Sequence, residues 1–317
     1  KRKKCRKPSS RCGKSCCIKG ECLFKVKGKQ WLLQGDCAIT RDIEVVNPQG
    51  IVIEGQGHTI SMTGSPSGYR SAGILVVSGD DGGRVNLANL TINAGGVTNP
   101  CASSPAQPFH PAAVAYNQTS GGIDNVTITH LRCMPAILAS VGGATPGQAI
   151  DITRSHVSAT PEPGRDGLMT HFIAEHPASL TATVTDSTFT ATPLFFSTGV
   201  TASVLRNTLV NSAISAGNGA QVTAANNTIT DAVTGVLAYG TGTTLAATEN
   251  SIVGPANPTD VLSAGIEFQA GSSGSASGNA VSRYFVDGGG IGCGIRVATG
   301  VTPTLNGNTS SSKSNFG

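Results

Sequence analysis

The chain has 317 residues, with 41 glycines, 4% aromatic residues, 13% charged residues and a formal net charge of +4. Apolar residues do not recur at the 3.6-residue period of amphipathic helices, which excludes a helical bundle. No apolar run approaches the roughly 18 residues of a membrane-spanning helix, and Val, Ile and Thr set between Gly and Asn describe short strands joined by turns.

The charge is unevenly placed. Residues 1–29 carry 12 of the 22 Lys and Arg but only one of the 18 acids, Glu21, and Lys313 is the only lysine after Lys29. The expected organisation is a basic, Cys-rich tail over residues 1–30 and one repetitive domain over residues 31–317. Cys5, Cys12, Cys16, Cys17 and Cys22 crowd the tail, Cys37 follows, and Cys101, Cys133 and Cys293 are spread through the body. Such density implies disulfides and an oxidising compartment, secreted or at a cell surface. Nine cysteines is an odd number, so at least one stays free or pairs between chains. Cys293 is expected to be the free thiol, and Cys101 and Cys133 to pair. The cysteine order from Cys5 to Cys37 resembles inhibitor-cystine-knot miniproteins, with connectivity left open. The tail's charge suits an anionic surface. No aromatics interleave with its lysines, so no specific nucleic-acid partner is expected.

From Trp31 onward two short patterns alternate. Gly/Ala-Ile-x-Val and its variants occupy residues 73–76, 113–116, 136–139, 167–170, 213–216, 235–238, 265–268 and 294–297. The second pattern centres on an apolar column: Ile60, Ile92, Ile128, Val157, Phe189, Leu209, Ile229, Ile252 and Val281. Its spacings shrink to 20 residues and swell to 36. A three-strand solenoid coil needs about 20 residues, and insertions at turns absorb the excess. About ten coils are expected. Asn-Gly and Asp-Gly hairpin signals do not recur where a propeller or sandwich would need them.

Strand alternation sorts residues to inside and outside. Asn207, Asn227, Asn250, Asn279 and Asn308 fall two before the apolar column, inside, where stacked amides satisfy one another. Thr59, Thr91, Thr127, Thr188, Thr208 and Thr228 form an outward row, interrupted by His156 and continued by Ser251. A Thr-x-Thr face of this kind resembles ice-binding β-solenoids, although exposed strands favour Thr for ordinary reasons. The outward x of Gly-Ile-x-Val forms an apolar stripe of Leu75, Ala115, Leu138, Met169, Phe195 and Leu237. Inserted loops such as 95–111 are expected to cover that stripe in a monomer.

These features resemble the pectin-lyase-like superfamily of right-handed parallel β-helices. The segments Trp31–Cys37 and Ile51–Ile60, the latter containing Gly55-Gln-Gly-His-Thr-Ile60, are similar to that superfamily's opening coil. The resemblance implies an all-β, single-stranded right-handed parallel β-helix over residues 31–317. It also brings a range of roles: polysaccharide lyases, glycoside hydrolases, uronate epimerases and phage tailspikes. Fold alone does not choose among them.

Five of the six histidines lie between residues 110 and 176. Arg154, His156, Arg165, Asp166 and His171 are the candidate catalytic residues, with His130, Arg132, Glu175 and His176 as candidate substrate-binding residues. Arginine would neutralise a uronate carboxylate and histidine would take or return a proton. Asp166 would orient His171 or act as an acid. No metal site and no cofactor are expected: calcium is conceivable for the superfamily, but no cluster of outward acids is present to hold it. The paired aspartates of polygalacturonase-type hydrolases and the Asp-Pro-His of alginate epimerases are missing. The expected partner is an acidic polysaccharide or cell-surface glycan, with lyase or epimerase chemistry ahead of hydrolysis. A non-catalytic surface or adhesion solenoid is the alternative, and ice binding the third reading.

Overall fold

The computed structural model describes residues 17–19, 21–64, 72–77, 83–97, 112–132, 134–141, 147–160, 170–174, 179–256, 262–284 and 291–311. The chain winds as a parallel β-solenoid whose coils each lay one strand on three faces. In one coil Leu180–Thr185 lies on face 2, Thr188–Thr190 on face 3 and Leu194–Phe196 on face 1; Val200–Leu205 then returns to face 2. Each strand pairs in parallel with its counterpart one coil on, as Leu180–Thr185 does with Val200–Leu205. Face 1 is an eleven-stranded sheet running from Cys17–Lys19 to Ile291–Val297. The N-terminal end is closed by antiparallel pairs: Cys17–Lys19 against Ile43–Val46, and Phe24–Lys27 against Gln30–Leu33. A disulfide between Cys22 and Cys37 ties this cap to the first coil. Cys5, Cys12, Cys16, Cys101 and Cys133 lie outside the described residues, while Cys293 is a free, buried thiol.

The core is a set of stacked apolar columns. The predicted column from Ile60 to Val281 is in unbroken register, and each of its members is at most 3% exposed. Inside face 1, Phe172 and Phe196 stack with centroids 5.0 Å apart. The asparagine ladder is present as expected. Asn227 Nδ2 donates to Val204 O and to Asn250 Oδ1, and its backbone N–H donates to the same Oδ1. Asn207, Asn250 and Asn279 repeat the arrangement, with Asn308 accepting at the C-terminal end. Towards the N-terminus hydroxyls take over: the Ser187 N–H donates to Asn207 Oδ1, the Ser155 N–H to Ser187 Oγ, and the Val126 N–H to Ser155 Oγ. Every interior amide or hydroxyl of this line is therefore bonded.

From the coil of Asn89 onward, one left-handed residue turns each corner between faces 2 and 3. Asn89, Asn125, Arg154, Asp186, Arg206, Asn226 and Glu249 all have φ between 48° and 56°, and Gly278 and Gly307 continue the column at 64° and 61°. Asparagine tolerates this left-handed conformation and glycine is at ease in it; arginine and glutamate are strained there. The other two corners carry the insertions. Between faces 3 and 1 the connections include 65–71, 98–111, 160–169, 254–261 and 283–290. Between faces 1 and 2 the longest are 78–83, 142–147 and 298–303. Chain inserted at these corners enters or leaves the strands of face 1.

One repeat is placed differently from its sequence pattern. The expected Gly167–Thr170 motif would put Met169 in the outward stripe of face 1. Pairing instead aligns His171 with Leu138 and with Phe195, because the strand runs from Thr170 to Ala174 and Phe172 supplies the inward residue.

Candidate functional site

The described part of the expected charge cluster divides between faces. Arg154 turns the corner from face 2 to face 3, and His156 begins face 3, level with Thr127 and Thr188. Both are exposed, with Ser155 buried between them. His130 sits near the end of the strand Ser120–Leu131 with φ 57°, where the face 3 register shifts before Leu131 pairs with Ala159, and exposed Arg132 follows that strand. His130 Nδ1 lies 3.0 Å from Thr129 Oγ1. His171 lies on the face 1 strand Thr170–Ala174. Arg165, Asp166, Glu175 and His176 lie outside the described residues, in the connections before and after that strand. The fold thus groups His171 with these four by chain position and leaves Arg154 and His156 on another side.

Arg154 is held by a carboxylate. Its Nε donates to Asp124 Oδ1 and its Nη2 to Asp124 Oδ2, a forked pair across adjacent coils. Arg206 and Asp186 repeat the fork at 2.8 Å in both contacts. The guanidinium bond to each aspartate holds its carboxyl below the usual range. Arg84 pairs with Asp151 at 2.9 Å, and Arg296 with Glu267. These pairs join residues 20 to 67 positions apart and lie along the solenoid axis.

The outer surface of face 1 differs from the other two. Face 2 over residues 181–277 presents Thr, Ser, Gln, Ala and Leu outward, and face 3 continues the threonine row. On face 1 the central register column reads Leu75, Ala115, Leu138, His171, Phe195, Ser215, Leu237, Glu267 and Arg296. Its first members join Ala72 and Ala112 in a small apolar cluster separate from the core. Further along, Phe195 stacks with Tyr239. Beyond them Glu267, only 4% exposed, accepts from Arg296 and from Gln269 Nε2 at one oxygen. The stripe read from sequence stopped at Leu237. Glu267 and Arg296 stand at the same x position of their own repeats, Gly265-Ile-Glu-Phe268 and Gly294-Ile-Arg-Val297, so the signal for them was present. Among the described residues no group of three His, Cys, Asp or Glu is placed to hold a metal ion.

No protein-family model matches the chain, and no curated protein matches it in sequence. Solved structures match it in fold. A double mutant of the periplasmic alginate epimerase AlgG is 14% identical over 90% of this chain, with a TM-score of 0.50. The match covers 64% of that protein, so this chain spans less than two thirds of its length. Others are the Dettilon tailspike protein (12% identity, 86% of this chain and 61% of that one, TM-score 0.35) and a mannuronic acid-specific family 6 polysaccharide lyase from human gut microbiota (10%, 90% and 81%, 0.34). The likeness to the AlgG double mutant, at 14% identity, shows the parallel β-helix fold alone.

Proposed function

We propose that this protein is an extracellular solenoid that binds or modifies an acidic polysaccharide along face 1. The observation that carries the reading is where insertions are spent. The corner between faces 2 and 3 is a tight turn in coil after coil, while the long connections border face 1. Loops on a rigid scaffold are where binding residues concentrate. His171 belongs to face 1 and Arg132 to the connection that enters it, and Arg165, Asp166, Glu175 and His176 fall by chain position next to the same strand, while His130 stands at the end of the preceding face 3 strand. In a catalytic version Arg165 or Arg132 would neutralise a uronate carboxylate. His171 would take the proton next to it, with Asp166 orienting that imidazole, giving a lyase or epimerase outcome. Arg154 and His156 would then contribute from a neighbouring side. The fold relatives named above as an alginate epimerase and a polysaccharide lyase suit this substrate class. The Cys22–Cys37 disulfide suits an oxidising compartment.

The non-catalytic reading has its own support. Arg84, Arg154, Arg206 and Arg296 are each bonded to an acid, so these guanidinia serve the coil stack first. One experiment separates the readings. The protein is incubated with pectate, alginate and glycosaminoglycans, while binding, unsaturated-uronate absorbance and C5 configuration by proton NMR are followed. Binding with a product that disappears in His171→Ala supports the enzyme; binding without product supports the adhesion module. Absence of binding to all three polymers overturns the proposal.

A further inference from the structure

Phe195 and Tyr239 project from face 1 two coils apart, their rings inclined by only 16° with centroids 6.2 Å apart. Register and residue size produce this contact. Phe195 pairs with Ser215, and Tyr239 with Gly217, so the coil between the two aromatics presents only small residues. A Cβ on Gly217 would stand 2.4 Å from Tyr239 Cζ, so the tyrosine ring lies over the glycine's α-carbon. Any side chain there would lift the ring off the sheet. Both rings are half-buried, and Leu237 stands beside them.

Polar groups follow on the same column. Glu267 is one coil beyond Leu237 and Arg296 one further. A guanidinium carries five N–H donors. Among the described residues Arg296 spends one of them on Glu267, and its side chain remains 25% exposed. From Phe195 to Arg296 the column climbs four coils, roughly 19 Å at about 4.8 Å each.

A pyranose ring has an apolar C–H face and a polar rim, and a uronate adds a carboxylate. Near-parallel aromatic rings on a sheet offer area for the C–H face with little side-chain entropy to lose. A guanidinium offers a planar fork for a carboxylate. Taking face 1 as the glycan-binding side, as proposed above, we infer that Phe195, Tyr239 and Arg296 form one subsite on it. The ligand is a uronate-containing oligosaccharide laid along the solenoid axis, with a sugar ring on Phe195 and Tyr239 and a carboxylate at Arg296.

The test is calorimetric titration of the intact protein with short oligogalacturonates and oligomannuronates, alongside their carboxyl-reduced forms. Tyr239→Ala is expected to weaken binding at least about tenfold. Tyr239→Phe should retain it, because the ring face and not the hydroxyl is used. Arg296→Lys should weaken the uronates and leave the carboxyl-reduced ligands unchanged, and Thr223→Ala on face 2 should change nothing. Wild-type affinity in Tyr239→Ala with an unchanged melting temperature overturns the subsite. Should that variant fail to fold, Phe195→Ala decides the same question by the same readout. If the wild-type protein binds the probes and neither aromatic matters, the subsite falls and the proposed function stands. If it binds none of the probes and no polyuronate, both fall.

Discussion

Asn227 shows how much one interior side chain carries. Its amide donates twice and accepts twice, linking three coils. Replacement by Ala strands the Asn207 N–H and removes the amide donor from Val204 O in the core, while Asn250 Oδ1 keeps the backbone N–H of residue 227. Each buried unsatisfied group costs about 1–3 kcal/mol, so the loss should reach at least about 2 kcal/mol in urea unfolding. Gly274 is constrained differently. Its φ of +141° is unsuited to L side chains, and a Cβ would sit 1.8 Å from Leu245 O. Gly274→Ala should cost at least about 2 kcal/mol by the same measurement, since strain alone contributes about 1–3. The corner carboxylates give a pH dependence. Arg154 and Arg206 lower the folded-state values of Asp124 and Asp186 below the ordinary 3.8. A depressed acid contributes stability that is complete above its unfolded value and is lost as pH falls through the folded one. Stability should therefore decline as pH drops below about 3.8, and the combined Asp124→Asn and Asp186→Asn variant should show a shallower decline in melting temperature over that window.

Among the elements, the N-terminal cap is where covalent chemistry meets the solenoid. An uncapped first coil would expose the edges of its strands to other chains. The antiparallel strands Cys17–Lys19 and Phe24–Lys27 cover two of them, those of Ile43–Val46 and Gln30–Leu33, and the Cys22–Cys37 bond closes a 15-residue separation. A loop of that size is worth about 3 kcal/mol by the chain-entropy account. Cys22→Ser with Cys37→Ser should therefore lower stability by about that amount and leave the strand signal in circular dichroism intact. Loss of all strand signal would mean that the cap is needed for folding to begin.

Stacked coils pair strand for strand only with their neighbours, so the whole molecule should behave as a nearly one-dimensional array. The stretch from Thr201 to Ala220 is one 20-residue period, and Thr201 pairs with Gln221. Its excision would bring Gln221 under Thr181 and Asn227 under Ser187 without shifting any column. The shortened protein is expected to fold, with a parallel-strand circular dichroism spectrum and a single cooperative melt. Aggregation of this variant would show that the coils are not interchangeable.

The alternation of inward and outward residues was legible from sequence because strand geometry imposes it locally. The columns from Ile60 to Val281 and the ladder from Asn207 to Asn308 needed nothing beyond a period of two and a repeat near 20. Which residues meet across coils depended on insertion lengths, and local pattern is silent about those. The ten-residue connection 160–169 is why His171, and not Met169, enters the face 1 column. The Asp124–Arg154 fork and the Phe195–Tyr239 stack join residues 30 and 44 positions apart, so only the wound chain could pair them. The sequence determined a parallel β-helix with a polar interior line, since burial and hydrogen-bond satisfaction act on every coil alike. The tertiary structure decided which face gathers the insertions, the aromatic pair and the remaining charge, because that depends on how unequal coils are brought into register.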